Sequence, residues 1–160
     1  MTFEFKVLDK EELKELEEMI ERNYGVKFKF DSLVLKSSRD KIWLVSKDFS
    51  KINFDKIKAN SIGLYFGRLK RNNKIHLSIE GTQLIGPNAT KNIVEVDEEN
   101  MRRFLQGLNV KPKKMINCEV NNFVVIKYKD DFLGSGILRE DYVENLLPKT
   151  RRIYLEIRKI

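Results

Sequence analysis

Apolar residues recur along this chain with two different periods, and the points where the period changes restrict the fold more than any other feature. Between Asp9 and Gly25 the period is helical, with Leu13, Leu16, Met19 and Ile20 on one face. Asp9 followed by Glu12 is a capping-box pattern with Asp in place of Ser or Thr, and Gly25 after Tyr24 is the expected left-handed stop. The outer face of this helix is rich in Glu, which makes it a poor surface for an anion. A short strand is expected ahead of it, over residues 1–8, where Phe3, Phe5 and Val7 alternate with polar residues.

From Lys27 the period drops to two. Phe28 with Phe30, then residues 33–35, then 42–45 are expected as successive strands, separated by Asp31-Ser32 and by residues 37–40. A short helix is expected within residues 49–58. Residues 61–69 and 74–79 form an expected strand pair around the turn Arg71-Asn72-Asn73, and Gly86-Pro87-Asn88 breaks the chain. A strand over 92–96 leads to a second helix, residues 98–107, capped by Asp97 and carrying Met101, Phe104, Leu105 and Leu108 on its apolar face. The remaining third of the chain is strand after strand: Val120, 123–128, 132–133, 136–138 and 153–157, with turns at Asn121-Asn122, Asp130-Asp131 and Pro148. A helix leading into several short strands fits a small, partly open barrel. The fold class expected is therefore α+β, with an N-terminal α/β domain over 1–92 and a mostly β barrel domain over 93–160.

Charge narrows the partner. There are 31 Lys and Arg against 24 Asp and Glu, a net charge of +7. Such a surplus is compatible with a polyanion but also serves solubility, so its distribution decides more than its sum. The end of the chain concentrates Lys149, Arg151, Arg152, Arg158 and Lys159 against one acid, Glu156, with Tyr154 as a candidate stacking ring. Arginine offers both a phosphate fork and a flat face for a base. Arg151 and Arg152 are neighbours and, on an extended chain, would point to opposite faces. A second patch lies in residues 56–79, where Lys56, Lys58, Arg68, Lys70, Arg71 and Lys74 occur with no acid.

The inventory gives little support to catalysis. One histidine, His76, and one cysteine, Cys118, allow no disulfide, no thiolate cluster and no zinc site between them. His76 lies in an alternating strand-like run, where a packed position is expected rather than a general base. No phosphate-binding glycine loop is present. Gly134-Ser135-Gly136 lacks the strand-to-helix context of a nucleophile elbow and is better read as a backbone device inside a barrel strand. Glu80 and the pair Asp130-Asp131 are expected to be solvated. No enzyme activity, cofactor or metal is expected, and a soluble, cytoplasmic, monomeric protein without membrane contact is.

Two stretches resemble known families. Residues 68–96 (RLKRNNKIHLSIEGTQLIGPNATKNIVEV), with the preceding NSIGLYFG, resemble the archaeal members of a ribosome-biogenesis family, the counterparts of eukaryotic nuclear import protein seven. Residues 92–153, through FLQG, VVIKYKDDFLGSG and LPKTRRI, resemble the RNA-binding PUA domain. The resemblance implies a non-enzymatic RNA-binding factor in pre-ribosomal RNA processing and large-subunit assembly, acting on single-stranded regions beside other assembly proteins. It also implies RNA contacts from Arg151 and Arg152, with Arg158 and Lys159 completing the tail site. The PUA stretch is shared with RNA methyltransferases, which leaves open an RNA-binding subunit of an enzyme modifying tRNA or rRNA.

Overall fold

The computed structural model describes residues 5–46 and 63–153. The elements run β1 (Lys6–Val7), α1 (Lys10–Tyr24), β2 (Leu33–Ser37), β3 (Lys41–Val45), β4 (Leu64–Lys70), β5 (Lys74–Leu77), α2 (Ile79–Ile85), β6 (Ile93–Glu95), α3 (Glu98–Leu105), β7 (Lys114–Ile116), β8 (Phe123–Tyr128), β9 (Asp131–Leu138) and β10 (Val143–Asn145). A 3₁₀ turn, Lys149–Arg151, comes last.

Local chemistry accounts for α1. The Asp9 carboxylate accepts the Glu12 N–H at 2.9 Å, the Glu12 carboxylate accepts the Asp9 N–H at 3.2 Å, and Gly25 ends the helix at φ 68°. Its buried side chains Leu16, Ile20 and Tyr24 pack onto an antiparallel sheet of order β1-β2-β3-β4-β5, against Val34, Ile42, Phe66, Ile75 and Leu77. Phe28 and Phe30 join no strand. Their rings meet edge-on at 4.9 Å, and Phe30 meets Phe66 the same way at 5.3 Å. The alternation there records ring packing rather than a ladder.

The second sheet has the order β10-β9-β8-β6-β7, with β6 and β8 parallel and the other neighbours antiparallel. Val110, just ahead of β7, exchanges backbone hydrogen bonds of 2.7 and 3.1 Å with Val143 in β10. The two edges thus approach each other and the sheet curls nearly closed. Phe104 of α3 fills the interior beside Val94, Val124, Ile126, Val143 and Leu147.

The two halves share a wall. In β8, Val124 and Ile126 belong to the barrel core while Val125 belongs to the first core; in β6, Val94 and Ile93 divide the same way. A strand buried on both faces carries an unbroken apolar run, which is what residues 123–126 show. Polar ties cross the same wall: the Ser135 hydroxyl donates to the Leu77 carbonyl at 2.7 Å, and the Asn92 amide donates to the Asn23 carbonyl at 2.6 Å.

Several expected elements differ. β5 stops at Leu77, because Ser78 caps α2 by accepting the Gly81 N–H at 2.9 Å. Residues 132–133 and 136–138 are one strand, β9, and Gly134 (φ 147°) sits at the register shift opposite Ile126-Lys127. Val120 lies in a turn. The short strands β7 and β10 carry too little apolar alternation to be read in advance. The expected helix within 49–58 lies outside the described residues, as does the expected strand beyond Ile153.

Candidate nucleic-acid interface

The tail cations meet the C-terminal end of α3. The Ile153 N–H donates to the Leu105 carbonyl at 2.8 Å, which brings the 3₁₀ turn alongside the helix. Arg152 covers Gly107 (φ 87°), where a Cβ would collide with its guanidinium, and its Nε donates to the Leu147 carbonyl at 3.3 Å. Arg151 turns the other way and pairs with Glu80 of α2, Nη1 to Oε1 at 2.7 Å. The two arginines diverge as expected of neighbours, although from a 3₁₀ turn rather than a strand. Lys149 is exposed and forms no ion pair among the described residues. Tyr154, Arg158 and Lys159 lie outside the described residues.

A third basic cluster escaped the sequence reading. Residues 100–118 hold Arg102, Arg103, Lys111, Lys113 and Lys114 with no acid, the same signal that marked residues 56–79. The structure holds this segment firmly. Arg103 donates twice to the Asn109 carbonyl, at 3.2 and 3.1 Å, and the Asn109 side chain accepts the Asn145 N–H at 3.0 Å. The Asn145 amide donates to the Phe104 and Leu108 carbonyls at 2.9 and 2.8 Å, satisfying groups that the end of α3 leaves open. The Lys111 N–H reaches the Asn100 side chain at 2.9 Å. Loop, helix end and tail form one rigid support. Lys111, Lys113 and Lys114 are exposed on it.

The hairpin patch belongs to the first sheet. Lys70 and Lys74 face each other directly across β4 and β5, and Arg71 projects from the turn. Like charges opposed in this way repel, and a bound anion would relieve them. Arg68 is tied down, its Nε donating to the Arg39 carbonyl at 2.8 Å. Beside it His76 stacks on Phe123, with centroids 5.4 Å apart and planes 4° from parallel. Burial, then the nearby Lys70 and Arg68 charges, hold its pKa down to about 4, so the ring is neutral at ordinary pH.

A cleft of about 650 Å³ opens between α2, α3 and the tip of the β8–β9 hairpin. Ile79, Met101, Leu105 and Leu133 supply apolar lining, while Gln83, Tyr128, Asp130, Asp131 and Arg151 supply polar groups.

The reactive residue types are committed to structure. The Ser135 hydroxyl is buried and spent on the Leu77 carbonyl. The Cys118 thiol donates to the Ile93 carbonyl at 3.2 Å, and burial pushes its pKa up. Among the described residues no three His, Cys, Asp or Glu side chains cluster to hold a metal ion, and no helix is long and apolar enough to cross a membrane.

Two solved structures share this architecture across most of both chains. A conserved PUA domain protein from Thermoplasma acidophilum superposes with a TM-score of 0.60 at 16% identity, covering 86% of this chain and 82% of its own. A PUA domain protein from Aeropyrum pernix K1, solved as a tartrate complex, gives 0.58 at 12% identity, covering 92% and 86%. The fold is that of PUA-domain proteins. The likeness takes in the first sheet as well as the barrel, since a match confined to residues 93–160 could not reach those coverages. In sequence, the chain is 27% identical over 147 residues to ribosomal RNA small subunit methyltransferase F of Aeromonas salmonicida. That match takes in 92% of this chain and 29% of the methyltransferase, so the chain spans under a third of that relative's length. No protein-family model matches the chain.

Proposed function

We propose that this chain is a non-catalytic RNA-binding protein that recognises ribosomal RNA during pre-rRNA processing and large-subunit assembly, in the manner of the nuclear import protein seven family. The observation that carries the reading is the PUA fold, matched over 86% and 92% of the chain, with three basic surfaces built on it. Phosphates are bound by Lys111, Lys113 and Lys114 of the segment after α3, and by Lys149 and Arg152 of the tail at the C-terminal end of that helix. Tyr154, Arg158 and Lys159 extend that site on sequence grounds, and Arg68, Lys70, Arg71 and Lys74 form a second contact. The reading includes a boundary at Asn92 between the two units, and a cytoplasmic monomer that meets other assembly proteins on the RNA.

The test is binding of a single-stranded rRNA fragment by the purified chain over a salt series. Each phosphate contact on a single strand contributes a slope of about −0.7 in log K against log salt. Replacing Lys111, Lys113 and Lys114 by Ala is expected to reduce the slope by about 2 and weaken binding for every sequence alike. Unchanged affinity and slope would remove this surface from the proposal.

A second reading is favoured by the similarity to the rRNA methyltransferase: the chain is the RNA-holding part of an RNA-modification enzyme acting on rRNA or tRNA. Both readings share an RNA partner. Mixing the purified chain with a methyltransferase catalytic subunit separates them, since an RNA-independent complex between the two would favour the second.

A further inference from the structure

The 650 Å³ cleft has a chemistry unlike the basic surfaces around it. The one cation among the described residues of its lining is Arg151, already paired with Glu80 at 2.7 Å, while Asp130 and Asp131 line it with carboxylates that pair with no described residue. The two carboxylates are thus the unpaired charges of the described lining itself, with Lys127 and Lys129 outside it. Its lining is otherwise largely apolar, from Ile79, Met101, Leu105 and Leu133. Such a site admits a neutral, flat, largely apolar group that offers hydrogen-bond donors to the carboxylates, and its volume falls in the usual range of small-ligand pockets.

In a nucleic acid that description fits the base, not the backbone. Each of the four bases carries at least one N–H donor on its pairing edge, and an unstacked base of a single strand can enter a pocket while its phosphates stay outside. Cations stand close to the opening, since Lys127 and Lys129 hold their ammonium groups 5.7 and 5.4 Å from the centroids of the Phe132 and Tyr128 rings that line it. We propose that this cleft receives one unstacked base of the bound RNA, with the Asp130 and Asp131 carboxylates accepting from its N–H donors and the neighbouring cations holding the flanking phosphates. The proposal rests on the RNA-binding reading above.

The experiment is a two-by-two comparison. Wild type and Gln83→Trp are titrated with a cytidine decamer and with an abasic ribose-phosphate decamer of the same length. Gln83 is exposed on α2 and lines the cleft, so an indole there fills the space without touching the core. Wild type is expected to prefer the base-bearing decamer by roughly tenfold, the scale of one well-held base. Gln83→Trp is expected to cut that preference to about twofold while binding the abasic decamer as wild type does, which also shows that the variant is folded. A preference that survives Gln83→Trp would overturn the cleft assignment and leave RNA binding intact. Failure of wild type to bind either decamer would overturn the RNA-binding reading itself. CMP alone binding as tightly as the cytidine decamer would make this a free-nucleotide site and overturn the proposal.

Discussion

His76 makes the stability of this protein depend on pH in a window where almost nothing else titrates. It is the one histidine of the chain, stacked on Phe123 and held to a pKa of about 4 by burial first and then by Lys70 and Arg68. In the unfolded chain its pKa returns to about 6.5, so below that value the unfolded state binds a proton that the folded state refuses. A folded pKa below the unfolded one contributes stability that is complete above pH 6.5 and lost as pH falls toward 4. Between pH 8 and pH 5 the loss comes to about 2 kcal/mol, from the ratio of the two protonation terms at 1.36 kcal/mol per decade. The assay is urea unfolding at both pH values for wild type and for His76→Phe, which keeps a flat ring against Phe123. Wild type is expected to lose about 2 kcal/mol more than the variant. Equal losses in the two proteins would refute the claim that His76 is neutral and desolvated in the fold.

Two further outcomes test the packing behind the interface. Ser135→Ala removes the buried donor to the Leu77 carbonyl that joins the barrel to the first sheet, and is expected to cost about 1–2 kcal/mol in urea unfolding. Gly107→Ala places a Cβ at φ 87° against the Arg152 guanidinium, so a loss of about 1–2 kcal/mol is expected, together with weaker RNA binding as Arg152 is displaced.

How much of the fold was legible depends on which interactions are local. Both long helices were readable because their caps lie within a few residues of each other in sequence: Asp9 with Glu12, and Asp97 with Asn100. The hairpin turn at Asn72-Asn73 likewise carries its own signal, and the turn expected at Asp130-Asp131 falls one residue earlier, at Lys129-Asp130, with Asp131 opening β9. α2 was not readable. It has seven residues, and Gly81 within it is there because the Phe66 carbonyl lies where a Cβ would be, a requirement set by a strand fifteen residues away. Strands β7 and β10 exist only through their partners. The lysines of 111–114 were countable in the sequence, yet only the hydrogen bonds of Asn100, Asn109 and Asn145 show that they stand on a rigid base.

The sequence by itself determined the α+β class, the capped helices, the basic balance and the poverty of catalytic residue types, because each depends on composition or on neighbours within one turn. Tertiary structure decided which cations are free and which are spent. Arg151 is drawn to Glu80 and Arg152 to the end of α3, contacts across about seventy and fifty residues of chain that no local period can encode. It also decided that the two apolar periods belong to one packed body: β6 and β8 are buried on both faces, and each face serves a different core. The change of period marked where elements begin, and the shared wall between them could arise only once the strands were paired.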